Sequence, residues 1–505
     1  MHCRPGPLFV AALALLSACA APPAAPAPPA TPAPTAATPA PPAAPVAPPP
    51  PFITPPPRAT LAAGSSHTCA LVTIPGADGP RIKCWGSNDD GQLGLGDTRA
   101  RGEKRKQMGD ALPAVALPAG APLVAVAAAQ RRSCALRADG ALHCWGDNTG
   151  GVLGLGDTLA WGGNPDQLSA LPAIALPGPV ASIALGEMHS CAVLGDGAVA
   201  CWGLNNDGEL GLGDLTRRGD APNQVSADLP LVALGTGLAA RALSAGRAHT
   251  CGLFTADATL VKCWGFGHDG SLGLADTDSR GGAPGQMGDA LPRVDLGAGF
   301  RVAALVAGSA HTCARSTDHR VKCWGGNHSG QLGAGHTDSP SRKPGRSSTP
   351  APMGDALPFV DLGKDLEVVT LAAGSSHTCA IVRRRADATT GLKCWGWNGS
   401  GALGIGLGSQ RGGHPDEMGD NLPFVDLGKD LEPVALALGG LHSCAVVVTR
   451  GGADTGGRVK CWGSNNHGNL GLGDTNDRGE PYQMGDALPF VDLGADVRVV
   501  LPAST

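Results

Sequence analysis

The chain has 505 residues, a net charge of −5, and only 16% charged residues. That balance excludes a broad basic surface for nucleic acid, and the length exceeds what one globular core usually fills.

The first 18 residues read as an export signal of bacterial type. Arg4 supplies the positive start, and residues 8–16 supply an apolar run too short to span a bilayer. Leu16-Ser17-Ala18-Cys19 resembles a lipobox, in which Cys19 is acylated and becomes the mature N-terminus. Residues 19–57 then form a lipidated cysteine plus linker. Beyond Cys19 the segment is nearly all Ala, Pro and Thr, a composition that buries no core and prefers polyproline II. At about 3.1 Å per residue its reach is on the order of 115 Å, enough to hold a folded part off a membrane. No later stretch of about 18 apolar residues follows.

Residues 58–505 carry one motif seven times. It first reads Ala62-Ala63-Gly64-Ser65-Ser66-His67-Thr68-Cys69-Ala70, then Cys84-Trp85-Gly86-Ser87-Asn88, then Gly91-Gln92-Leu93-Gly94-Leu95-Gly96-Asp97-Thr98. The Cys-Trp-Gly triplet returns at Trp145, Trp202, Trp264, Trp324, Trp395 and Trp462, spaced 57 to 71 residues apart. A fixed motif at such a period means one supersecondary unit per repeat.

Of 16 cysteines, Cys3 lies in the signal and Cys19 is the lipid candidate. The others form seven local pairs: Cys69 with Cys84, Cys134 with Cys144, Cys191 with Cys201, Cys251 with Cys263, Cys313 with Cys323, Cys379 with Cys394, and Cys444 with Cys461. Folding 134–144 around Ala138-Asp139-Gly140 places Cys134 opposite Cys144, within disulfide reach. The gaps differ between repeats while the flanking text stays constant, so the turns absorb the insertions. An even count behind an export signal favours disulfides, and zinc is disfavoured because no Cys-x-x-Cys occurs.

Each repeat offers four strand candidates, in the sixth 366–373, 377–382, 392–395 and 422–427, and no long segment of helical period. The expectation is an all-β, seven-bladed β-propeller with four-stranded blades. The last outer segment, 488–493, has no blade except the first, and 496–502 matches the strand at 58–64. Hence the ring is expected to close through N- and C-terminal strands.

These elements resemble the repeats of the regulator of chromosome condensation family, whose members are seven-bladed propellers. The chain departs from that family in its longer inserts, its cysteine pair in every repeat and its export signal. Nucleotide exchange over chromatin, the nuclear member's role, therefore does not carry over directly. Exchange regulation, or enzyme inhibition as in a secreted relative that inhibits β-lactamases, remains what the resemblance implies as an alternative.

The repeat histidines His67, His189, His249, His311, His377 and His442 are expected to cap turns within their own blades, with Arg132 replacing the second. The Asn/Asp loops lack a calcium ligand set, and Gly94-Leu95-Gly96 lacks a phosphate-loop ending. No catalytic cluster, metal or cofactor is expected. Strand parity puts the Gly-x-x-His turns and the long inserts on one face, and the hairpin tips on the other. Trp161, Trp397 and Tyr482 stand in or near the insert face, outside the repeat pattern, and are the candidate partner anchors. The reading is a monomeric, non-enzymatic binding or scaffold protein, lipid-anchored to the bacterial cell envelope and facing the periplasm or exterior. Its partner is a protein or polysaccharide on the long-loop face, and not nucleic acid. The rival reading is a glycan-active hydrolase or lyase with paired carboxylates at a central channel.

Overall fold

In the computed structural model, residues 59–255, 257, 259–338 and 352–502 are described. The signal segment, Cys19 and the linker lie outside them, as does part of the fifth insert.

Valine, leucine and threonine runs bounded by glycine turns build seven antiparallel sheets. The first holds β1 (Leu61–Ala63), β2 (His67–Thr73) and β3 (Arg81–Gly86); the second, β4 (Leu123–Ala129), β5 (Arg132–Arg137) and β6 (Leu142–Gly146). The third holds β7 (Val180–Leu185), β8 (His189–Leu194) and β9 (Val199–Gly203); the fourth, β10 (Ala240–Ala245), β11 (His249–Phe254) and β12 (Val261–Gly265). The fifth holds β13 (Val302–Ala307), β14 (His311–Ser316) and β15 (Val321–Gly325). The sixth holds β16 (Leu366–Ala373), β17 (His377–Arg384) and β18 (Thr390–Gly396). The seventh holds β19 (Leu431–Leu438), β20 (His442–Thr449) and β21 (Arg458–Gly463), and β22 (Arg498–Val499) comes last.

The expectation of four strands per blade is corrected to three. The fourth candidate runs alongside the third strand but forms no ladder: it contributes a bond such as Val425 N–H to Leu392 O at 2.8 Å or Val491 N–H to Val459 O at 2.9 Å, and in the third repeat a single bridge, Leu231 to Ala200. The reason is a proline. In Leu422-Pro423-Phe424-Val425 the residue two before Val425 would direct its N–H to the same neighbour, and Pro423 has none. Leu-Pro precedes the bonded residue in every repeat.

In the first sheet the inner position is shared. β1 pairs with the first half of β2 (Leu61↔Ala70), and β22 pairs with its second half (Val72↔Val499). Val499 also bridges Gly457 of the seventh repeat.

The core lies between sheets. Cys69, Leu71, Ile82 and Cys84 of the first sheet pack with Val126, Ala135 and Trp145 of the second. The next interfaces repeat the pattern, and the first sheet's Leu61 and Trp85 share a cluster with Val446 and Val459 of the seventh.

All seven expected cysteine pairs are disulfides in the structure, each between directly opposed residues of a second and a third strand. Cys69 joins Cys84, Cys134 joins Cys144, Cys191 joins Cys201 and Cys251 joins Cys263. Cys313 joins Cys323, Cys379 joins Cys394 and Cys444 joins Cys461. The Cα–Cα distance is 4.1 Å in every pair, although the sequence separation runs from 10 to 17. The hairpin turns therefore take up the insertions and leave the cysteine register unchanged. The buried Lys83, Lys262, Lys322 and Lys393 each bond two carbonyls of the surrounding loops, which ties third strands to the outer segments.

Candidate functional site

The repeat polar residues are spent on holding sheets together. His67 bonds the Ser133 hydroxyl of the next sheet, and the pattern continues from His189 to Thr250, His249 to Thr312, His311 to Thr378, His377 to Ser443 and His442 to Thr68, at 2.7–3.0 Å. The expectation that each histidine serves its own blade is thereby corrected. The Ser133, Thr378 and Ser443 hydroxyls donate to the carbonyls of Gln92, Gln331 and Ala402, so the histidine Nε2–H is the donor to them. Where the repeat lacks histidine, Arg132 donates to the carbonyls of Gly186, Glu187 and His189 in the third repeat. The seven repeat tryptophans mirror this. Each indole N–H reaches a carbonyl of the preceding repeat, as Trp145 to Gln92 and Trp85 to Asn469, at 2.9–3.1 Å.

Burial makes these imidazoles neutral. Loss of hydration, with neighbouring positive groups adding for several, lowers His67, His189, His311 and His377 to about 3 and His249 and His442 to about 4. They are wholly buried, not ligands in waiting. Among the described residues no cluster of three or more His, Cys, Asp or Glu is placed to hold a metal.

The six Gly-x-x-His turns and the matching Ala129-Gln130-Arg131-Arg132 turn of the second sheet converge on one cavity of about 220 Å³. The second residue of these turns varies: it is serine at Ser65, Ser309 and Ser375, and otherwise Gln130, Glu187, Arg247 or Gly440. Ser65 Oγ donates to Gln130 Oε1 at 2.6 Å, and the Ser309 hydroxyl donates to Glu187, reaching past the fourth sheet. Arg247 Nε lies 3.9 Å from Glu187 Oε2. Glu187 is the one carboxylate among the residues lining this cavity. Reading the sequence by its repeats passed over Glu187 and Arg247. The visible signal was variation at one fixed position of a motif otherwise held constant.

On the same face the inserts fold back onto the sheets. Asp97, Asp214, Asp276 and Asp474 each hold the arginine four residues on, at 2.7–2.8 Å. Those arginines bridge backbone to Gly86, Gly203, Gly265 and Gly463. Trp161 occupies the same position, bridging Gly146. It therefore belongs to the repeat pattern, contrary to expectation, and its half-buried ring packs against the cores on both sides of the second sheet. Trp397, half-buried, follows the repeat Gly396 and lies over its own loop at Gly399. Tyr482 stands 76% exposed in a short 3-10 turn, Pro481–Gln483. The three residues come from repeats two, six and seven.

Comparison with known proteins places this geometry. The family model described as RCC1-like domain matches residues 84–501. The ultraviolet-B receptor UVR8 of Arabidopsis thaliana is 28% identical over 436 residues, covering 85% of this chain and 82% of the receptor. The human E3 ubiquitin-protein ligase HERC2 is 29% identical over 421 residues, 83% of this chain but 7% of the ligase. Among solved structures, Saccharomyces cerevisiae Prp20p is similar with TM-score 0.53 and 20% identity, covering 77% of this chain and 82% of that one. Human WBSCR16 gives TM-score 0.55 and 18% identity, over 79% and 87%. These structural likenesses concern the fold alone.

Proposed function

Because the chain belongs to the RCC1-like domain family, we propose that it is a non-enzymatic binding propeller, its ring closed by β1 and β22. In this reading it is anchored to the bacterial envelope through Cys19 and engages a macromolecular partner on the insert face. One observation carries the reading. Every repeated histidine and tryptophan is consumed in sheet-to-sheet bonds, while turn residues that vary between repeats, Gln130, Glu187 and Arg247 among them, line the shared cavity. Variable residues on a repeated scaffold are where recognition sits. A single carboxylate in the shared cavity favours binding over glycoside chemistry, which ordinarily uses two. A protein partner is favoured over a polysaccharide, since the structure of Prp20p is described with its binding to Gsp1p and histones, and a second with Kap60 bound. Trp397 and Tyr482 are the anchors in this reading, and Trp161 holds the insert of the second repeat against its own sheet.

The test is crosslinking in intact envelopes with photoreactive side chains placed at Tyr482 and at Arg384 on a hairpin tip. Adducts at Tyr482 with a macromolecule that binds the purified chain support the reading. Turnover of cell-wall or storage polysaccharide by the purified chain, without such adducts, overturns it.

A further inference from the structure

We propose that a second cavity, at the hairpin-tip end of the seventh sheet, binds a phosphate group between the guanidinium groups of Arg458 and Arg498. None of its lining residues belongs to the inner turns, so the site stands or falls independently of the partner reading. Gly457, just before β21, and Val499 of β22 exchange both backbone bonds, at 2.9 Å each. In antiparallel order the next residues, Arg458 and Arg498, face each other across this bridge. They form a non-hydrogen-bonded pair, the kind whose side chains stand closer. Both line one cavity of about 270 Å³, together with Phe490, Asp492 and Val497. The Arg458 guanidinium lies over the Phe490 ring, 3.8 Å from its centre, which fixes the plane of the fork. Lys460 Nζ, 4.8 Å from the same ring centre, adds a third positive charge.

Like charges directly opposed on an antiparallel pair are destabilising, so an anion between them gains from both. Elsewhere the fold avoids this arrangement. The residue paired with the position six beyond the repeat histidine is Glu367 in the sixth sheet, Glu432 in the seventh and Arg498 in the first. Glu367 holds Arg383 and Arg385, at 2.7 and 3.4 Å, and Glu432 holds Arg450 at 3.1 Å. Arg320, stacked on Phe359 as Arg458 is on Phe490, pairs with Asp318 at 2.7 Å. Among the described residues neither Arg458 nor Arg498 has an ion pair, and Arg498 donates only to the carbonyl of its neighbour Val497, at 3.0 Å. The carboxylates nearby are spent on backbone. Asp492 Oδ1 takes the Gly494 N–H at 3.1 Å, as Asp361 and Asp426 do in the matching turns. Asp454 takes the Thr449 N–H at 2.6 Å. A carboxylate ligand offers two oxygens, which a single guanidinium fork fills. A phosphate offers oxygens to two forks approaching from opposite sides, which selects it here.

Calorimetric titration of the purified full chain with inorganic phosphate, at constant ionic strength in chloride, tests this. Saturable binding at one site is expected. Arg458→Ala and Arg498→Ala should each weaken it about tenfold or more. Arg384→Ala should not, since that arginine is stacked on Phe424 but faces Leu366. Arg498→Glu returns the glutamate of the sixth and seventh repeats to this position. It should raise the melting temperature of the phosphate-free chain by relieving the repulsion, and abolish the phosphate response, a combination that misfolding cannot imitate. Soluble dioctanoyl phosphatidylglycerol separates the two sources of the group. Competition with inorganic phosphate marks a lipid headgroup, and its absence marks a free phosphate. No binding of either ligand, or binding that both alanine variants retain, overturns the proposal and leaves the partner reading untouched. So does an Arg498→Glu chain that melts below the wild type, or succinate binding as tight as that of phosphate, which would mark a carboxylate site.

Discussion

His442 bonds the hydroxyl of Thr68 at 2.9 Å, although 374 residues separate them in the chain. The seventh sheet therefore grips the first with the same contact that joins neighbours elsewhere. Removing Thr68 leaves the buried His442 Nε2 unpaired, at a cost of about 1–3 kcal/mol, whereas removing His442 leaves the Thr68 hydroxyl its second bond, to the Asn469 carbonyl at 3.3 Å. His442→Ala and Thr68→Val should each lower the urea midpoint, and a double-mutant cycle should return a coupling of at least about 0.5 kcal/mol. Simple additivity would mean that the contact contributes nothing.

Acid should loosen the whole ring. The six repeat histidines titrate near 6.5 when unfolded but only at about 3 to 4 when folded. A lowered native value means the unfolded chain binds the extra protons. Stability is therefore full above pH 6.5 and is lost as pH falls from there toward the native values. Each histidine removes on the order of 2 kcal/mol by pH 5. Unfolding free energies measured between pH 7 and 5 check this, and His249→Gln should flatten the slope by about one-sixth. A flat profile over that range would contradict the buried, neutral assignment.

Glycine at the inner turns is required by space. A Cβ on Gly308 would lie 2.2 Å from His311 Cε1 and 2.4 Å from the carbonyl oxygen of Gly374 in the next sheet. Gly308→Ala should destabilise by about 1–3 kcal/mol through overpacking. Gly195→Ala is the control, because a Cβ there meets nothing closer than 3.7 Å. Melting temperatures of the pair should separate by several degrees; equal values would refute the steric account.

Non-reducing peptide mapping should find seven links, each within one repeat. Replacing Cys134 and Cys144 together, or Cys444 and Cys461 together, by alanine should cost about 3 kcal/mol, and the longer loop only some tenths more. Links between repeats, such as Cys201 to Cys263 or Cys323 to Cys394, would contradict the register in which each pair is directly opposed.

Cys19→Ala should move the protein from the membrane fraction to the soluble one, since acyl chains supply about 0.8 kcal/mol per buried CH₂. Retention in membranes would remove the lipid anchor from the proposed function.

The sequence alone determined what is local or repeated. Seven β units were legible because a hairpin's register is set within a few residues of its turn, which is why Cys134 could be placed opposite Cys144 from spacing. The insert face was legible from strand parity. What only the tertiary structure decided lies between repeats. Whether His67 serves its own turn or reaches Ser133 depends on how closely two sheets approach, and no periodicity states that distance. Pro423 was visible in the sequence, yet its effect on the fourth strand appeared only once Val425 was seen bonding Leu392 alone. Trp161 looked irregular as text and proved to fill an arginine's place, because the position is defined by its bridge to Gly146 rather than by residue type. Glu187 and Arg247 meet only because seven turns converge on one cavity, a relation that exists once the sheets are arranged around it and in no single repeat.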